Sequence, residues 1–85
     1  MNITKEAFDA GFLTLRQYDC LYYLIKGMTA KQTAKMLNIT DRTVHGHLNL
    51  LRQKFNCHRR SDLVSRALKV THIKNKILLD LKNEI

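Results

Sequence analysis

The sequence predicts an all-α domain: four packed helices, preceded by a short N-terminal helix and followed by an amphipathic C-terminal one. Three observations point there. The 85 residues contain no proline and only three glycines, so little interrupts a helix. Apolar residues recur three and four positions apart along most of the chain. Two Thr-x-x-Gln capping boxes, Thr14 to Gln17 and Thr29 to Gln32, mark helix starts.

Residues 1–12 form a lead-in. Thr4 can cap a brief helix over Lys5 to Ala10, which Gly11 would end, with Phe8 and Phe12 as apolar anchors. The first long helix starts after Thr14 and carries the stripe Cys20, Leu21, Leu24 and Ile25. Gly27 ends it, because a left-handed residue is needed there. The next helix starts after Thr29, turns Thr33, Ala34 and Leu37 inward, and stops at Asn38, which tolerates the left-handed conformation.

Thr40 caps a third helix over about Asp41 to Lys54. Val44, Leu48, Leu51 and Phe55 form one stripe on it, and Arg42, His45, Asn49 and Arg52 form another. At ~100° per residue the stripes are centred roughly 110° apart, so one face can pack while the other stays free. A fourth helix covers about Arg60 to Lys69, with Leu63, Val64, Ala67 and Leu68. The β-branched pair Val70-Thr71 can weaken or bend it. Ile73, Ile77, Leu78, Leu81 and Ile85 then repeat at helical spacing in the tail.

Fifteen Lys plus Arg against seven Asp plus Glu give a formal charge of +8. Such an excess on a small domain points to a polyanion, most often nucleic acid. From Arg42 to Arg60 there are five Arg or Lys and no acid, so the excess is concentrated on and just after the third helix. Two short helices joined at Asn38-Ile39-Thr40, the second with a free cationic face, suit the major groove of DNA.

Other chemistry finds no support. There is no Ser-His-Asp set, paired carboxylate or phosphate-cradling glycine loop, so no enzyme is expected, and no cofactor. Cys57-His58 with His45 and His47 fits no common zinc spacing, and no metal site is expected. Cys20 and Cys57 read as buried hydrophobes and not as a disulfide. With no signal-peptide pattern and no membrane span, the expected location is the cytoplasm, on the nucleoid.

Leu13-Thr14 with Arg16, Gly27, Lys31, Ala34, Leu37, Ile39-Thr40, Arg42-Thr43-Val44, His47-Leu48, Lys54 and Phe55 stand in the order and spacing of a known module. Over Leu13 to Lys69 the chain resembles the LuxR/NarL-type helix-turn-helix DNA-binding domain of bacterial transcription regulators. The resemblance implies sequence-specific binding of double-stranded DNA, with the third helix in the major groove. It implies base reading at His45, Gly46 and Asn49, and phosphate contacts at Thr43 and nearby basic residues. Lys31, Arg42, Arg52, Lys54, Arg59 and Arg60 are those candidates. It also implies a two-fold contact on the fourth helix, around Leu63, Ser65, Arg66 and Lys69.

The chain departs from the family at several positions. His45 stands where Lys or Arg is frequent. Gly46 lies inside the third helix, where glycine costs ~1 kcal/mol relative to Ala; it either lets DNA approach the backbone or is tolerated on an exposed site. Arg59 replaces a capping serine, and Gln17 and Asp19 replace glutamates. His47 matches a family histidine that is mostly structural. Tyr23 reads as an amphipathic cover for the core.

Residues 70–85 lie outside the resemblance. A core complete at Leu68 leaves their apolar face to fold back, to pair with a second copy, or to hold another protein. Pairing is the expected outcome, with Ile73, Ile77 and Leu81 extending a homodimer contact. Met1 and this tail favour a stand-alone regulator over a fragment of a longer one. The competing reading is a module of the same fold that binds or sequesters another regulator or RNA polymerase; the basic face of the third helix argues against it.

Overall fold

A computed structural model describes residues 13–84. It contains five helices in the order α1 Leu15–Ile25, α2 Ala30–Leu37, α3 Asp41–Lys54, α4 Arg60–Leu68 and α5 Thr71–Asn83, and no strand among the described residues. The expected helix over Lys5 to Ala10, with Phe8 and Phe12, falls outside those residues.

The helix starts follow the local chemistry. Thr14 holds an extended backbone, accepts the Gln17 amide on Oγ1 at 3.0 Å, and donates its own amide to Gln17 Oε1 at 3.1 Å. Thr29 and Gln32 repeat the exchange at 3.1 and 2.9 Å. Thr40 Oγ1 accepts the Thr43 amide at 3.1 Å. Each box satisfies backbone donors that a helix start leaves without partners. Arg59 makes no side-chain cap at the start of α4.

The ends of α1, α2 and α3 share one device. Gly27, Asn38 and Asn56 take φ of 89°, 57° and 52°. Beyond each, the next residue's amide reaches back to close the helix: Met28 to Tyr23 O, Ile39 to Ala34 O and Cys57 to Arg52 O, at 3.0, 3.0 and 2.9 Å. These are Schellman closures. Asn38 thereby makes the tight joint between α2 and α3.

The core runs through all five helices. Leu13, Leu21, Val44, Leu51, Leu63, Ala67 and Ile77 are all but inaccessible to solvent. The inward stripe of α3 is buried at every position. Thr33 is buried with Oγ1 bonded to Thr29 O at 2.9 Å, which removes the cost of an unpaired hydroxyl. Cys20 and Cys57 are buried free thiols. Burial, and then Asp19, push the Cys20 thiol up to about 11. Tyr23 is half-buried against the core.

The tail corrects the expectation of self-pairing. Ile73 and Ile77 are 3% and 1% exposed, and Leu81 packs against the same core. They are core residues of one chain and not an open dimer face. Leu63, at 0% exposure, leaves that face as well. The helix breaks at Lys69-Val70, where Val70 adopts an extended backbone, and α5 turns back over α1 and α4. Polar contacts fix it there. Tyr18 Oη donates to Asp80 Oδ2 at 2.6 Å. Lys26 Nζ meets Glu84 Oε1 at 2.7 Å. Lys76 pairs with Asp80 at 2.9 Å and lies over the Tyr18 ring. Periodicity shows that a helix has an apolar face but not which surface receives it.

Candidate nucleic-acid interface

Helix α3 is built so that two of its faces have different fates. Val44, Leu48 and Leu51 anchor it on α1 and α2. Arg42, Thr43, His45, Gly46 and Asn49 are exposed on its outer side. Thr43 Oγ1 lies 2.9 Å from Thr40 Oγ1, so the capping residue and a predicted phosphate contact share a hydrogen bond. A Cβ built on Gly46 meets nothing within 4 Å. No neighbour among the described residues therefore requires glycine there.

Asn49 is tied to Arg52, whose Nη1 donates to Asn49 Oδ1 at 2.9 Å. Arg52 is half-buried, and its Nε is shut off from solvent without a partner among the described residues. Both side chains border a shallow groove walled also by Gln53, Asn56, Cys57 and His58. Gln53, Asn56 and His58 are not among the DNA contacts expected from the sequence. The left-handed Asn56 was the available signal, since it ends α3 and bends the chain beside Asn49.

The remaining cations surround α3. Lys31 is exposed in the first turn of α2, and Arg59 and Arg60 are exposed where α4 begins. Arg60 Nη2 donates to Met28 O at 2.6 Å, joining α4 to the α1–α2 turn. Lys54 is exposed but donates to Gln17 Oε1 at 2.8 Å. Gln17 is buried and also caps α1, so one amide oxygen joins the start of α1 to the end of α3. No local pattern announces that link. His47 is half-buried, with Nδ1 inaccessible and unpartnered among the described residues. Ser65 and Arg66 on α4 and Lys69 at its C-cap are exposed.

Acids are distributed unevenly. Asp19 pairs with Arg16 on α1, Asp80 with Lys76, and Glu84 with Lys26. Among the described residues Arg42, Arg52, Arg59 and Arg60 face no carboxylate partner. The same residues include no cluster of His, Cys, Asp or Glu able to hold a metal, and no helix long and apolar enough to cross a membrane.

The model of bacterial regulatory proteins, luxR family, matches residues 12–67. The chain belongs to this family. The match takes in α1, α2, α3 and most of α4, and stops short of α5. Among curated proteins the chain is similar to the nitrate/nitrite response regulator protein NarP of Escherichia coli (strain K12), at 42% identity over 61 residues. That alignment covers 66% of this chain and 28% of NarP. It is similar also to the transcriptional activator proteins AhyR of Aeromonas hydrophila and AsaR of Aeromonas salmonicida. Each is 34% identical over 56 residues, which is 66% of this chain and 22% of the relative. No solved structure matches the chain significantly. The match thus spans the α2–α3 pair, and α5 packs beyond it against α4 and α1.

Proposed function

We propose that this domain is a sequence-specific, double-stranded DNA-binding transcription regulator that inserts α3 into the major groove. The observation that carries the reading is the outer face of α3. Arg42, His45, Gly46 and Asn49 stand exposed while the opposite face is buried, and no acid lies from Arg42 to Arg60. Duplex DNA is a dense polyanion that such a face attracts. His45, the Gly46 backbone and Asn49 face base edges. Arg42, Thr43, Lys31 and Arg59 contact phosphates, which position the helix without reading sequence. Lys54 and Arg60 are bonded within the chain, to Gln17 and Met28, and flank the same face. The similarity to NarP, a response regulator, and to AhyR and AsaR, transcriptional activators, supports this reading.

Two half-sites would be read by a homodimer, through the exposed positions of α4 and its C-cap, Ser65, Arg66 and Lys69. The protein would act on the nucleoid in the bacterial cytoplasm. Asn49→Ala tests the base reading: it should cost about 1–3 kcal/mol at one base pair and relax preference there. Competition between selected and scrambled duplexes measures it, and an unchanged ratio would refute base reading by Asn49.

A further inference from the structure

We infer that Arg52 sets the base preference of α3 by fixing the orientation of the Asn49 amide. This rests on the reading that α3 enters the major groove. The two side chains lie three residues apart on one side of the helix, with Arg52 Nη1 2.9 Å from Asn49 Oδ1. A guanidinium has donors only, so the atom facing it must be the amide oxygen. That bond removes the freedom of an exposed asparagine to present either end. Arg52 is itself restrained, since it is half-buried with an inaccessible Nε, in the groove walled by Gln53, Asn56, Cys57 and His58. It differs in this from Arg42, which is exposed on the same helix.

The orientation has a chemical consequence. With Oδ1 turned to Arg52, the end of Asn49 left for a base is Nδ2, which carries two donors. Adenine presents an acceptor and a donor in the major groove, N7 and the N6 amine, and matches an amide that offers both its ends. Guanine presents two acceptors, N7 and O6, and needs donors only. The Arg52 bond therefore favours guanine over adenine at the base pair that Asn49 reads. Arg52 acts as a positioning residue here and not as a phosphate contact.

The test uses the full chain and duplexes selected from random sequence, then varied at each base pair. The position read by Asn49 is the one whose preference Asn49→Ala erases. Wild type should prefer G·C over A·T there by about tenfold. Arg52→Met keeps the packed stem and drops the guanidinium. It should lose that preference while the dependence of binding on salt stays as in wild type. Arg52→Gln can still donate to Asn49 Oδ1 without charge, and should restore part of the preference. Should Arg52→Met fold poorly by circular dichroism, the comparison of Arg52→Gln with wild type carries the test alone. An Arg52→Met chain that weakens on every duplex alike, with preference intact and a salt slope flatter by roughly one unit, would overturn the inference and make Arg52 a phosphate contact. Wild-type preference for A·T at that position would overturn it as well. If instead Asn49→Ala changed no base preference while salt-dependent duplex binding persisted, base reading by Asn49 would fail first and the role of Arg52 with it.

Discussion

Lys76 of α5 and the arginines of α3 meet opposite surroundings. On α5, Lys76 is paired with Asp80 and lies over the Tyr18 ring, and Glu84 near the end of the helix takes the ammonium of Lys26. On α3, Arg42 and His45 stand in solvent, and Arg52 is bonded to a neutral amide. Both helices bury an apolar stripe and carry cations on the remaining faces. The difference lies in the acids. Asp80 and Glu84 turn α5 towards α1, whereas α3 has only Asp41, in its first turn, where the helix dipole favours it. Cations with partners brace the fold, and cations without them leave a field for a ligand.

That contrast breaks most readily at α5. Ile77→Ala should cost about 2–5 kcal/mol in urea unfolding, because a fully buried side chain leaves a cavity. A chain ending at Val70 should lose more and show no cooperative melting. Its duplex binding should fall only as far as its folded fraction falls. A truncated chain with the melting temperature of the intact one would show that α5 is an appendage.

The opposite perturbation is Arg42→Ala with Arg59→Ala. Stability should hold within ~0.5 kcal/mol, since both side chains are exposed. The log-log slope of binding against salt should flatten by roughly two units, about one per phosphate. An unchanged slope would remove both from the phosphate contacts.

Gly46→Ala sharpens the contrast within α3. The chain leaves room for the methyl, so the helix should gain about 1 kcal/mol. Duplex affinity should nevertheless fall if DNA approaches the backbone at this residue. Thermal melting and a binding titration on one sample separate the effects. Raised stability with unchanged affinity would mean that glycine has no role at the groove.

The smallest effect is with pH, and it belongs to α5. Lys26, then Tyr22, hold the Glu84 carboxyl below its ordinary 4.5. A lowered carboxyl contributes stability that is present above pH 4.5 and lost as pH falls through the folded value. Burial, then the hydrogen bond to Asp80, raise Tyr18 well above its ordinary 10.0. That contribution is complete below pH 10 and is lost as pH rises beyond it. Unfolding free energy should dip at both ends, less at the acid end in Glu84→Gln and less at the alkaline end in Tyr18→Phe. If those variants followed the wild-type profile, these contacts would not hold the tail.

Much of this protein was determined by residues close together in the chain. Thr14 with Gln17, Thr29 with Gln32, and Thr40 with Thr43 cap helices across three residues, so these bonds need no partner from elsewhere in the domain. Gly27 and Asn38 take left-handed backbones because their own chemistry permits it. The two faces of α3 follow from helical geometry, so both the buried stripe and the exposed cations could be read directly. Tertiary structure decided what local rules leave open. The bond from Tyr18 to Asp80 joins residues 62 positions apart, and the bond from Lys54 to Gln17 joins residues 37 apart. The amphipathic pattern of α5 suited a second copy as well as its own core. The choice fell to the core because Tyr18, Lys26 and the apolar floor between α1 and α4 come together only after those helices pack, and only then match Asp80, Glu84, Ile73 and Ile77.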